Sequence, residues 1–325
     1  MFQNLTHAKV FQEFLQQTTF PDQPSNLYEP VRYMLSLSGK RIRPLLVLMG
    51  AELFDSEKIE TALPASLAIE LFHNFSLIHD DIMDKAPLRR GKPTVHEKWS
   101  DSVGILSGDA LIIKAYEQLS LCPANVLGTL LPLFNRTALE VCEGQQYDMD
   151  FENMAVVSVD SYIAMIRLKT SVLLGCALQM GAIVAEAGFK DQQLVYEFGV
   201  NIGVAFQLQD DILDVYGDPD LFGKQIGGDI LSNKKTILYT KLKELVQGHD
   251  SVILDKLLQD SIHTEPGKVE MMKDLYAQYN IKEKAIALKD KYIRAAYNKL
   301  NAIDVSVEKK QALFSLSDAL TNRIR

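Results

Sequence analysis

The chain is poor in residues that interrupt or staple a fold: its 325 residues hold 18 glycines, 11 prolines, three cysteines and one tryptophan. No Pro/Gly/Ser-rich linker or charge block divides it, so a single large domain is expected over residues 1–325 despite a length that allows two. Cys122, Cys142 and Cys176 lie too far apart for a zinc site or a disulfide framework and are expected as buried, reduced thiols. Basic residues are also scarce: 34 Lys plus Arg against 42 Asp plus Glu give a net charge of −8. That balance excludes a general nucleic-acid surface, which needs an excess of cations. The longest nearly apolar run, Val172 to Ala185, is interrupted by Gln179 and is short for a bilayer, so no integral membrane segment is expected. The first residues, Met1 to His7, lack a basic stretch followed by an apolar core, and the expectation is a soluble, cytoplasmic protein without a secretory signal.

Leu, Ala, Ile and Val dominate and recur at helical rather than alternating spacing, which predicts an all-α fold. Helices are expected at about Ala8–Gln17, Tyr28–Leu37, Pro44–Phe54, Thr61–Asp84, Gly104–Leu119, Val126–Tyr147, Tyr162–Glu186 and Gln192–Tyr216. Four more complete a bundle, at about Asp250–Gln259, Pro266–Gln278, Ile281–Leu300 and Val307–Asn322. Gly39 suits the end of the second helix and Pro44 the first turn of the third. The fourth is apolar almost all round, so it belongs at the centre of the bundle.

That central helix ends in Leu77-Ile-His-Asp-Asp-Ile-Met-Asp84. Asp80 and Asp84 share a face one turn apart, and Asp81 is rotated away by about 100°. Like charges so placed repel by roughly 3 kcal/mol at an effective dielectric near 20, unless a cation sits between them. Mg²⁺ is the natural partner where phosphates complete its shell. A solvated helix end is the plainer explanation of one such cluster, but a second follows: Gln209-Asp-Asp-Ile-Leu-Asp214, again closing an apolar helix. Asp210, Asp211 and Asp214 repeat the spacing of Asp80, Asp81 and Asp84, as two helices facing across a cavity would require.

Cations accompany the acids in short motifs. Gly39-Lys-Arg-Ile-Arg-Pro44 puts Lys40, Arg41 and Arg43 at a helix start, where backbone donors add to an anion site; an exposed basic turn is the alternative. Arg89 and Arg90 stand in a loop just past the first cluster, planar donors matched to a diphosphate. His73 lies two turns before Asp80 on nearly the same face, and Lys169, in an apolar helix, is costly to bury unless it meets an anion. The Gly-rich loop from Gly217 to Asp229 carries Lys224, with Lys234 and Lys235 just beyond, and could act as a lid.

Taken together, Gly39–Pro44, His79–Asp84, Arg89-Arg90-Gly91, Lys169-Thr170, Phe206–Asp214, and Gly223-Lys224 with Lys234 resemble the trans-isoprenyl diphosphate synthases, in that family's order, from about Gly39 to Thr236. The resemblance implies an all-helical bundle around a central cavity, usually a homodimer, joining isopentenyl diphosphate to an allylic diphosphate. Carried over by position, Asp80, Asp84 and Asp210 would hold Mg²⁺, three ions in all, supported by Asp81, Asp211 and Asp214. Arg89, Lys169, Lys224 and Lys234 would bind the allylic diphosphate, and Lys40, Arg43, His73 and Arg90 the isopentenyl diphosphate. Thr170 and Gln207, with the Lys169 carbonyl, would face the allylic carbocation. Product length would depend on bulk just before the first cluster, where Phe75 and Ser76 stand, with Phe72 a turn deeper. One aromatic there, with no insertion in the cluster, resembles enzymes making the twenty-carbon geranylgeranyl product more than the fifteen-carbon farnesyl one. A class I terpene cyclase is disfavoured by the second acidic motif and by the Lys40/Arg43 pair. A non-catalytic prenyl-diphosphate-binding subunit is disfavoured by two intact clusters.

Overall fold

The computed structural model describes residues 6–218, 226–259 and 265–321. The chain is all-α, and among the described residues its sheet is a single two-stranded hairpin. In order the helices are α1 (Thr6–Gln17), α2 (Ser25–Ser36), α3 (Ile42–Phe54), α4 (Leu63–Met83), α5 (Val95–Lys98), α6 (Asp101–Ser120) and α7 (Ala124–Asn153). Then come α8 (Val159–Ile166), α9 (Val172–Val184), α10 (Phe189–Tyr216), α11 (Gly228–Leu231), α12 (Ile237–Leu245), α13 (Gly248–Gln259), α14 (Glu265–Gln278), α15 (Ile281–Asn301) and α16 (Val307–Thr321). The hairpin pairs β1 (Leu88–Arg89) with β2 (Lys92–Pro93).

Contacts group the chain into two compact units, each built from separated segments. The first comprises residues 1–136, 176–196 and 304–309. At its centre α4 packs on α3 and α6, with Leu67, Ile69, Leu71 and Phe72 at most 1% exposed, as its apolar circumference requires. Glycine lets α3 and α9 touch backbone to backbone: a Cβ on Gly50 would stand 2.3 Å from the Leu178 carbonyl oxygen, and one on Gly181 2.0 Å from that of Val47. The segment 304–309 closes this unit, with Lys309 Nζ donating to the Phe54 carbonyl at 3.1 Å. The second unit comprises residues 137–175, 197–303 and 310–325, and its core includes Tyr162, Leu208, Ile237, Leu238, Leu242, Leu254, Tyr276 and Ile281. There the buried Lys289 donates to Gln209 Oε1 at 2.9 Å, tying α15 to α10.

Several expectations are corrected. Gly39 does not end a helix: α2 stops at Ser36 with an extended Leu37, and Gly39 lies outside the left-handed region. What glycine allows there is the close approach of the Arg90 guanidinium, which a Cβ would meet at 2.6 Å and displace. The loop after the first acidic cluster is a hairpin, turned by Arg90 (φ 53°) and Gly91 (φ 73°), a pairing too short for an alternating pattern to reveal. Cys142 is exposed on α7, whereas Cys122 and Cys176 are buried as expected. The helix expected at Tyr162–Glu186 is interrupted by a π-helical turn, Arg167–Ser171. Counted through that turn, Val159–Val184 has the length and composition to cross a bilayer, but 67% of its most apolar window is buried inside the protein.

Candidate active site

The first acidic cluster closes α4. Asp84 caps the helix, its N–H donating to the Asp80 carbonyl at 2.8 Å. Both carboxylates thus sit where the helix dipole is already negative, which adds to their need for a cation. Asp81 is committed elsewhere: buried, it accepts a bidentate pair from Arg89, Nε to Oδ2 and Nη2 to Oδ1, both at 2.7 Å. That pair fixes β1 against the helix end.

Around the same helix four guanidiniums gather. Arg41 departs from the expected anion site: half-buried, it pairs with the buried Glu70 carboxylate and also donates to the Leu35 and Leu37 carbonyls. It therefore builds the turn. Arg43 Nη1 lies 2.9 Å from His73 Nε2, and its Nε–H, out of solvent, meets no acceptor. Burial, then Arg43, Arg90, Arg89 and Arg41, hold His73 well below its ordinary range, so its Nε2 accepts from Arg43. Burial and Arg90 bring Arg43 down to about 10, with Glu70 opposing. Arg90 donates to the Leu37 carbonyl at 3.3 Å. Lys40 is exposed and lines a cavity of about 570 Å³ with Lys9, Phe11 and Leu37.

Below the cluster, Phe75 is half-buried, its ring 5.5 Å from Phe72 and 4.7 Å from His79. Phe72 is core, 1% exposed and edge-on to Phe134 at 5.4 Å. Ser76 Oγ turns back to the His73 carbonyl at 2.9 Å. His79 points to α6, its Nε2 3.1 Å from the Ile105 carbonyl, where Gly108 leaves room for the ring.

In the second unit the π turn carries Lys169 and Thr170. It is wedged between two helices at glycines: a Cβ on Gly144 would lie 2.2 Å from the Lys169 nitrogen, and one on Gly203 2.6 Å from Ser171 Cα. A π turn takes the chain out of ordinary helical register, a feature frequent at functional sites. The anion that Lys169 needs is present as Asp148 of α7, a site residue that sequence reasoning missed. The signal was legible in principle, since Asp148 stands on the same helix as Gly144, one turn on.

The second acidic cluster divides its labour as the first does. Asp210 is half-buried near the end of α10. Asp211, buried, accepts from the Tyr162 hydroxyl, from the Ile237 N–H at 3.0 Å and from Gln207 Nε2 at 3.3 Å. Burial pushes its carboxyl up to about 7 and Asp229 adds to this, while Tyr162, Ile237 and Lys234 oppose. Asp214 Oδ2 accepts the Asp229 N–H at 3.1 Å. Lys234 is exposed, just before α12. Lys224 lies outside the described residues.

Among the described residues no three His, Cys, Asp or Glu side chains converge on a ready cation cage. Two acids at a helix end fit Mg²⁺ of the kind that keeps its waters and takes further ligands from a substrate phosphate.

The family model described as polyprenyl synthetase matches residues 24–279. A short chain isoprenyl diphosphate synthase of Methanocaldococcus jannaschii is 39% identical over 259 residues, 78% of this chain and 79% of that one. A geranylgeranyl diphosphate synthase of Methanosarcina mazei is 37% identical over 82% of this chain and 85% of its own. A crystal structure of a geranylgeranyl pyrophosphate synthase superposes with a TM-score of 0.91 at 44% identity, covering 99% of both chains. Matched by that family model over most of its length and by relatives at 37–39% identity, this chain belongs to the polyprenyl synthetase, or trans-isoprenyl diphosphate synthase, family.

Proposed function

We propose that this enzyme is a Mg²⁺-dependent trans-prenyltransferase that condenses isopentenyl diphosphate with allylic diphosphates and stops at geranylgeranyl diphosphate. The observation that carries the reading is the solvent-excluded Nε–H of Arg43, without an acceptor, beside a neutral His73 and among mutually repelling guanidiniums. Such a cluster is stabilised by a polyanion. Arg43, His73 and Arg90, with Lys40, hold the isopentenyl diphosphate in this reading; Arg89, Lys169, Lys224 and Lys234 hold the allylic one.

Asp80, Asp84 and Asp210 are the carboxylates that would hold Mg²⁺, and Asp81, Asp211 and Asp214 support them by fixing the cationic elements alongside. Bound there, the metal would supply Lewis-acid stabilisation of the departing diphosphate. The protein's own part is to exclude water and to present oxygens without trapping the cation: the Lys169 carbonyl at the π turn, Thr170 and Gln207. The allylic carbon–oxygen bond breaks first, its electron pair leaving with the diphosphate. The isopentenyl double bond then attacks the allylic cation to form the new carbon–carbon bond, and the proton lost from the product passes to the released diphosphate. Phe75 is the floor that stops growth, with Phe72 as packing behind it.

The same reading makes the enzyme a homodimer through α6, where Ile105, Leu106, Ile113 and Tyr116 form one stripe, 45%, 60%, 61% and 36% exposed. It acts in the cytoplasm, on water-soluble diphosphates. The test is a product assay with Mg²⁺, isopentenyl diphosphate and starters of five, ten and fifteen carbons. A twenty-carbon stop, lengthened in Phe75→Ala, is expected; a fifteen-carbon stop would refute the chain-length assignment, and no condensation with any starter would refute the activity.

A further inference from the structure

The turn carrying Lys234 is held by five hydrogen bonds from α10, α13 and α14, all within the second unit. At its start, the Gly227 N–H donates to the Asp214 carbonyl at 2.7 Å and the Asp229 N–H to the Asp214 carboxylate at 3.1 Å. In its middle, Asn233 sits in the left-handed region (φ 56°). Its amide accepts from the buried Lys268 Nζ at 2.7 Å and donates to the Leu258 carbonyl at 3.3 Å. At its end, the Ile237 N–H donates to Asp211 at 3.0 Å, and Tyr162, fully buried, donates its hydroxyl to that same carboxylate. Lys234 has both backbone groups bonded inside the turn, its N–H to the Asp229 carbonyl and its carbonyl from the Thr236 N–H, each at 2.9 Å. A buried ammonium and a buried phenol spent on one exposed turn cost more desolvation than solubility or simple helix capping calls for. Their effect is to fix where one lysine side chain begins.

We propose that Lys268 and Tyr162 are positioning residues, acting through Asn233 and Asp211 to hold Lys234 at the allylic diphosphate. This rests on the reading of Lys234 as a ligand of that diphosphate. The second and third carboxylates of the α10 cluster thereby clamp the two ends of the segment that Lys234 occupies. Lys268 has no place in any motif of the sequence, and it stands 34 residues beyond Lys234 on α14.

The experiment compares Lys268→Met, Lys268→Arg and Asn233→Gly, glycine keeping the left-handed backbone while deleting the acceptor. With saturating Mg²⁺, Lys268→Met and Asn233→Gly should each raise KM for the allylic substrate by about tenfold, the loss of one charge-assisted hydrogen bond. KM for isopentenyl diphosphate should stay within about twofold in both. Combined, they should do little more than either alone, and Lys268→Arg should recover most of the loss. In both single variants hydrogen exchange at the Lys234 and Ile237 amides should quicken, read on the unliganded protein. Unchanged exchange overturns the proposal, as does faster exchange with the allylic KM unmoved while Lys234→Ala raises it. If Lys234→Ala itself leaves that KM unchanged, the assignment of Lys234 to the diphosphate is what fails, and the exchange data still decide the platform.

Discussion

Removing the Arg41 side chain would leave Glu70, 1% exposed, without its ion-pair partner. Arg41→Ala should therefore cost about 3 kcal/mol, read from the denaturant midpoint. The same substitution at Lys40, on the exposed side of the turn, should cost no more than about 1 kcal/mol, the range of interactions made by exposed charges. Three neighbouring cations in one motif thus separate into different kinds of residue, a distinction that spelling cannot make because it depends on which side chain meets Glu70. His73 supplies a second residue-scale outcome. Its pKa is depressed in the fold, so below the unfolded value of 6.5 the unfolded chain takes up a proton that the native state refuses. Stability should fall as pH drops through 6.5 toward the depressed value, and His73→Gln should flatten that part of the thermal-midpoint profile.

At the scale of elements, α11 and the buried α12 fell outside the expected helices, but the existence and order of the longer helices were readable from periodicity, and the ends of α3, α4 and α10 from proline and the acidic clusters. The hairpin and the π turn were not. The hairpin is two residues a side, and its cause is a long-range bond, Arg89 to Asp81, joined to a turn of positive φ. The π turn is imposed by neighbours: Gly144 and Gly203 admit it from two other helices, and nothing local in Arg167–Ser171 announces it. Gly203→Ala should accordingly keep the helical content of the protein while costing about 1–3 kcal/mol by overpacking. It should also lower kcat by displacing Lys169 and Thr170; an unaltered kcat in the folded variant would show that the π turn tolerates the shift. The acidic clusters were legible as sites, but their internal division was not, because it depends on partners distant in the chain: Arg89 for Asp81, Tyr162 and Ile237 for Asp211, and Asp229 for Asp214.

For the whole molecule, composition set the all-α class correctly, and the largely buried Val159–Val184 helix shows why length and apolarity alone mislead about membranes. The sequence offered no linker, and the structure explains why none is needed: the chain passes between its two units repeatedly, so neither is a contiguous stretch. A fragment ending at Arg136 lacks the α9 backbone that Gly50 approaches and the segment that reaches Phe54. Expressed alone it should be helical but should bind ANS and unfold without cooperativity; a sharp two-state transition would contradict this. The contact between Lys309 and Phe54 spans 255 positions. On the ribosome, then, the half that carries the first acidic cluster cannot finish folding when it emerges. It must wait, partly assembled, until nearly all the chain has been translated.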